Sequence, residues 1–339
     1  MTTPPLPTTC PDDLGFELLG EVRGWRGGVE LPLGAPRQRA LLAALLLRAG
    51  SPVGRDHLID GIWGDATVTD GANLVQAYIS KLRRLFEPDR APRTSGGLLT
   101  RVGASYRLSI APRQYDLGRF EQSVADARSL RSAGQPDAAE RTLSTALASW
   151  KGPALTGVSG PLLDVERARL AELRLAVVEE HAELALQLGG HAWLVPHLLV
   201  LTTEHPYRER LWALLMIALY RGCRQADALA AYQRARHTLM ENLGLLPGPE
   251  LRGIEEAILA GRPDPLVRAR PDDTAHLTRP VPARPADADP RFDTPAAYRH
   301  EPAPGRPHLA LVGRTPAPAP APGAAPHGPW SGGPARLAR

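Results

Sequence analysis

The stretch TDGANLVQAYISKLRRLF, residues 69–86, constrains this chain more than any other. At about 100° per residue, Leu74, Val75, Tyr78, Ile79, Leu82, Leu85 and Phe86 share one sector about 140° wide, which predicts an amphipathic helix packed on a core by that side. Asp70 or Thr69 can cap its start, and Pro88 ends it just beyond Phe86. The opposite sector holds Asn73, Gln76, Ala77, Ser80, Lys81, Arg83 and Arg84. A solvated helix face ordinarily mixes acids with bases, because i,i+4 pairs stabilise it. Here the first acid after Asp70 is Glu87. Amides and a hydroxyl early, cations late and no acid between them call for an explanation other than solubility.

The flanking pattern supplies a frame for that helix. FELLGEV (16–22) and VELPL (29–33) read as short strands joined by the turn-like RGWRGG. Pro36 opens a helix, PRQRALLAALLLRAG, ending at Gly50, and a second helix spans 55–63 with Trp63 at its end. After the amphipathic helix, LLTRV and SYRLSI alternate around GA, a hairpin signal. This series closes at residue 112, and from Asp116 to Ala260 the pattern is helical only. Laying LGGHAWLV over GCRQADAL puts Ala192 and Ala226 34 residues apart and Leu198 on Tyr232, the period of tetratricopeptide helix pairs. SAGQPDAAERTLSTALASW (132–150) reads as a further unit. Residues 262–339 hold 18 of the 35 prolines and few large apolar groups, too little burial to offset the entropy of ordering. The expected architecture is therefore an α+β winged helix-turn-helix domain (14–112), an all-α tetratricopeptide-like domain (113–261) and a disordered Pro/Ala-rich tail (262–339), after a loose N-terminus (1–13).

Other function classes find little support. The longest apolar run, ALLAALLL at 40–47, is too short to span a bilayer, so no membrane association is expected. Two cysteines, Cys10 and Cys223, cannot build a disulfide framework and fit a reducing cytoplasm; Cys223, between two helices, reads as a small buried hydrophobe. The P-loop, H-E-x-x-H, G-x-S-x-G and C-x-x-C patterns do not occur, so no catalytic residue and no cofactor is expected. His191, His197 and His205, spaced by six and eight, do not share a helical face, so no metal site is expected. The pI near 9.3 is weak support for nucleic-acid binding. Basic against acidic residues number 13 to 11 in 1–112, 16 to 18 in 113–261 and 11 to 7 in 262–339, so most of the net charge sits in the tail. A DNA argument has to rest on where charges are placed.

Their placement fits a major groove. Amides pair bidentately with adenine, and guanidinium groups reach guanine or phosphate. Preceded by a short helix, the amphipathic helix makes a helix-turn-helix whose second member enters the groove. The hairpin, with Arg101 and Arg107 on either side of its tip, is suited to lie as a wing on phosphates or in the minor groove. Trp63 reads equally as a core aromatic or as an indole N–H donor to a phosphate. The competing reading is an interaction scaffold, in which the repeat-like helices bind a protein and the winged helix is vestigial or protein-binding. The unbroken cations of the polar sector favour DNA.

These residues also carry a family resemblance. LIDGIWG, NLVQAYISKLRRLF and RVGASYRLS resemble the OmpR-type winged helix. LPLGAPRQRALLAALLLRAG, WKGPAL, HPYRERLWALLMIALYRGCRQADALAAYQRARHTL and ENLGLLPGPELRGIEEAIL resemble the SARP family, the antibiotic regulatory proteins of actinomycetes, over residues 16–260. The resemblance implies a winged helix followed by a bacterial transcriptional activator domain related to tetratricopeptide repeats. It implies DNA contacts from Asn73, Gln76, Ala77, Ser80, Lys81, Arg83 and Arg84, with Trp63 and the wing Arg101 as backbone contacts beside them, in addition to the Arg107 that the hairpin reading offers. The function implied is a sequence-specific transcriptional activator, pathway-specific for secondary-metabolite (antibiotic) biosynthesis and acting in the cytoplasm at the nucleoid. Two subunits would sit as a homodimer on tandem repeats of double-stranded DNA, and the helical domain would help recruit RNA polymerase holoenzyme. There are two departures: Ser105 stands where the wing usually has a glycine before the tyrosine, and Gly222-Cys223 where relatives commonly have Ser-Gly.

Overall fold

A computed structural model describes residues 13–64, 70–88 and 97–262. Residues 1–12 and 263–339, expected to be loose or disordered, lie outside the described residues, as does Thr69. The chain begins with an antiparallel sheet of β1 (Leu14–Glu17), β2 (Arg23–Arg26) and β3 (Val29–Glu30) in that order. RGWRGG is thus mostly strand, and only Gly27 and Gly28 turn, both at positive φ (+52° and +82°), as a type I′ hairpin requires. Arg23 and Lys151 lie 5.1 and 6.0 Å from the Trp25 ring, a pairing that the glycine-rich spelling of this strand hides. The first strand ends before Leu18 and Leu19, which turn into the core.

Then follow α1 (Pro36–Leu46), β4 (Val53–Gly54), α2 (Arg55–Trp63), α3 (Gly71–Phe86) and the hairpin of β5 (Leu99–Val102) and β6 (Ser105–Leu108). α1 stops four residues short of Gly50. β4 extends the hairpin into a sheet of order β4-β6-β5, with Val53 opposite Tyr106 and Gly54 opposite Ser105. Two residues carry no readable period, so β4 was invisible to pattern reading.

A 3-10 turn at Pro112–Gln114 leads into α4 (Asp116–Ser132), α5 (Pro136–Ala148), α6 (Pro161–Gln187), α7 (His191–Glu204), α8 (Glu209–Arg221), α9 (Gln225–Leu243) and α10 (Pro249–Leu259). Proline opens α1, α5, α6 and α10, where its missing N–H costs nothing. α7 and α9 start 34 residues apart (225 minus 191), and Leu198 and Tyr232 are both buried, as the repeat spacing predicts. α8 is buried without a break from Leu211 to Leu219 because it packs against α7, α9 and α10 at once. Cys223 is not a buried hydrophobe: it is exposed, at φ +59°, in the left-handed position that follows a helix C-cap. Among the described residues no helix is long and apolar enough to cross a membrane.

The apolar residues gather into two cores, and α6 serves both. Leu163, Leu170, Val177 and Leu184, seven apart, face a core shared with β1, α1–α5 and the hairpin, whereas Leu175, Ala182 and Leu186 face a second core with α7–α10. The first core therefore runs without interruption from the winged helix into α4–α6. Its seam is polar as well as apolar. The buried Asp116 carboxylate accepts N–H bonds from Leu18 (2.8 Å), Leu19 (2.8 Å) and Leu117 (2.7 Å). Burial pushes this carboxyl above its ordinary range, against the pull of those N–H groups. The loop after α5 lies along the end of β1, where Lys151 N donates to Leu19 O (2.8 Å), Leu155 N to Leu18 O (2.9 Å) and Thr156 N to Gly20 O (2.9 Å). Gly61 lets α2 meet α6, since a Cβ there would stand 2.8 Å from the Leu162 side chain.

Candidate nucleic-acid interface

α3 is held from behind at both ends. Val75, Ile79, Leu82 and Phe86 are buried, Tyr78 and Leu85 pack partly against the same core, and the Phe86 ring meets Phe16 edge-on at 5.3 Å. Leu74, placed in the apolar sector by its angle, is 37% exposed, so the buried stripe is narrower than its sequence. Asp70 occupies the N-cap position but makes no side-chain capping bond. Gly71 instead allows close approach to α2, where a Cβ would meet Ile59 at 3.0 Å. Arg26 donates to the Leu85 carbonyl and fixes the other end.

The opposite face is open. Asn73, Gln76, Ala77, Lys81 and Arg84 are exposed along α3. Ser80 and Arg83 are half-buried: the Ser80 hydroxyl donates to the Gln76 carbonyl (2.8 Å), and Arg83 Nε donates to Leu99 O (2.9 Å). Arg83 thus joins the helix to the hairpin. Trp63 is half-buried and stacked on Tyr78, with centroids 6.3 Å and planes 6° apart, while Lys81 Nζ lies 5.9 Å from the Tyr78 ring. Tyr78 therefore joins a Trp63–Tyr78–Lys81 stack beside the face. Its spacing of three from Lys81 was the available signal, masked by its apolar-sector angle.

On the hairpin, Arg101 is exposed opposite Tyr106 and its Nε donates to Gly103 O (2.9 Å), whereas Arg107 is half-buried opposite Thr100. Arg55 was passed over in the sequence. Its backbone N–H donates to Ala104 O (3.0 Å), which puts a further cation, paired with Asp56 at 3.1 Å, at the hairpin tip. The arrangement is an acid-free polar face, cations at one end and a second cationic element beside it, mounted on a continuous core.

Two family models cover most of the described chain. "Transcriptional regulatory protein, C terminal" matches residues 30–108 and "Bacterial transcriptional activator domain" matches residues 115–259. Regulatory protein DnrI of Streptomyces peucetius is 34% identical over 252 residues, 73% of this chain and 93% of DnrI. The chain belongs to the SARP family. Regulatory protein AfsR of Streptomyces griseus is 42% identical over 257 residues, 76% of this chain but 26% of AfsR, so this SARP chain spans about a quarter of that relative. Its fold is similar to that of Mycobacterium tuberculosis EmbR, solved in complex with a low-affinity phosphopeptide, at TM-score 0.71 and 36% identity over 75% of this chain and 67% of EmbR.

Within the SARP fold, the wing accommodates Ser105 without strain. Gly103 takes φ +60° and is the first of two loop residues, the position that a type II′ hairpin reserves for glycine. Ser105 already lies in β6, opposite Val102 and Gly54. The turn takes its positive φ at Gly103, and position 105 needs none.

Proposed function

We propose that this SARP-family chain is a sequence-specific DNA-binding transcriptional activator, pathway-specific for secondary-metabolite (antibiotic) biosynthesis. The single observation that carries the reading is the outer face of α3, exposed at Asn73, Gln76, Ala77, Lys81 and Arg84, acid-free and locked to the core from behind. In this reading α3 enters a major groove, with Asn73, Gln76 and Ser80 toward base edges and Lys81 and Arg84 toward phosphates. Arg101 and Arg55 at the hairpin tip reach the flanking backbone, and Arg83 holds the helix and the wing in register. Two subunits bind tandem repeats of double-stranded DNA as a homodimer, and the helical part helps recruit RNA polymerase holoenzyme at the nucleoid.

Gel-shift titration tests this on duplexes that the protein itself enriches from a random pool. Arg84→Ala weakens binding to enriched and scrambled duplexes alike, whereas Gln76→Ala narrows the difference between them. If both variants bind both duplexes as the parent does, α3 is not the reading element.

A further inference from the structure

One hydrogen bond on α3 narrows what the proposed reading face can recognise. The Ser80 hydroxyl lies 2.8 Å from the Gln76 carbonyl oxygen, and a carbonyl oxygen only accepts, so the hydroxyl proton is spent inside the helix. The Ser80 oxygen itself keeps acceptor lone pairs. A serine free to turn meets either kind of base edge, donating to a keto oxygen or accepting from an amino group. Ser80 is not free in that sense. Facing an amino group, it makes two bonds, one to Gln76 and one to the base. Facing a keto oxygen, it makes one, whichever way the proton points.

Its place on the helix lets that difference be felt. Measured from Asn73 at about 100° per residue, Ser80 falls at about −20° and Ala77 at about +40°, between Gln76 at about −60° and Lys81 at about +80°. The middle of the face therefore carries its two smallest side chains, where the helix comes closest to whatever lies against it. Two of the long side chains around them are drawn aside: Lys81 Nζ stands 5.9 Å from the Tyr78 ring, and Arg83 Nε donates to Leu99 O (2.9 Å). Ser80 is half-buried already. Once a groove covers the rest, water no longer stands in for a missing partner.

We infer that Ser80 selects a base carrying an exocyclic amino group in the major groove, adenine or cytosine on the strand it faces, and disfavours guanine and thymine there. Every base pair shows one amino group and one keto oxygen in that groove, on opposite strands, so this choice is sequence information. Gln76 differs, because its side-chain amide offers both donors and an acceptor. The inference rests on the proposed entry of α3 into a major groove and adds to it the chemistry of one contact.

The experiment uses the full chain and Ser80→Ala, which removes only the hydroxyl and should melt no lower than the parent. Each protein enriches duplexes from a random pool. The parent pool should hold one position restricted to adenine or cytosine on one strand, and the Ser80→Ala pool should lose that restriction while the other positions keep theirs. In the parent's own duplex, the amino group at that position is then removed, by 2′-deoxynebularine in place of deoxyadenosine or by the 2-pyrimidinone nucleoside in place of deoxycytidine. Parent affinity should fall about 5-fold further than that of Ser80→Ala, the worth of one hydrogen bond, and the comparison cancels any loss from weakened base pairing. The same base profile in both pools, a Ser80-dependent preference for guanine or thymine, or an equal fall on the analogue overturns the inference and leaves the reading of α3 standing. If the parent enriches no duplex, that reading fails and the amino-group contact fails with it.

Discussion

The two cores that meet along α6 are built in opposite ways. The first is assembled from pieces far apart in the chain: Asp116 holds Leu18 and Leu19, the loop after α5 lies along β1, and Gly61 lets Leu162 approach α2. The second is assembled mainly from chain neighbours, α7 to α10. Its rim is tied by ion pairs, in which Arg208 meets Glu179 at 2.8 Å and also Glu172, and Arg210 meets Glu183 and Glu250. Buried backbone donors and close-packed glycines tolerate little change, whereas an exposed ion pair such as Arg224–Asp227 on the second half tolerates a good deal. The face proposed to read DNA is thus mounted on the less forgiving half.

Substitutions can break or sharpen that contrast. The largest effect is expected of Asp116→Ala, which leaves buried N–H groups of Leu18 and Leu19 without acceptors and should cost about 3 kcal/mol, read as a lowered urea midpoint. Gly61→Ala should cost about 2 kcal/mol by overpacking against Leu162, and α3 should loosen with it, seen as faster amide exchange in that helix. Arg224→Ala, which removes the exposed Arg224–Asp227 pair at the start of α9, should cost less than about 1 kcal/mol and leave exchange in α3 unchanged. A loss for Arg224→Ala as large as that for Asp116→Ala would erase the distinction. The smallest effect is a gain: Cys223→Gly should stabilise by about 0.5 kcal/mol, since glycine takes the left-handed position without the Cβ clash.

What could be read from the sequence follows the same division. The second core was legible because a local period of 34 residues and helix-spaced apolar positions specify chain neighbours. The helix at 71–86 was legible for the same reason, and its acid-free side is visible in the letters alone. The seam was not. No local pattern says that Asp116 will serve Leu18, 98 residues away, or that Gly61 is glycine because Leu162 stands over it. On α3, exposure that follows from the helix itself was legible, as at Gln76 and Arg84. The surroundings of Arg83, Arg55 and Ser105 were not legible, because their partners are the Leu99 carbonyl, the Ala104 carbonyl and the strand opposite. Cys223 shows the limit of residue type as evidence: cysteine is commonly buried, but here the end of a helix decides its place.

The central claim is that the outer face of α3 meets DNA, with its exposed cations on phosphates. The most direct test is the salt dependence of binding to a duplex recovered by the protein itself, measured for the parent, Arg84→Ala and Gln76→Ala. Loss of one phosphate contact should lower the slope of log affinity against log salt by about 0.9 for Arg84→Ala, while Gln76→Ala keeps the parent slope and loses base preference. An Arg84→Ala slope equal to that of the parent, with undiminished affinity, would contradict the claim.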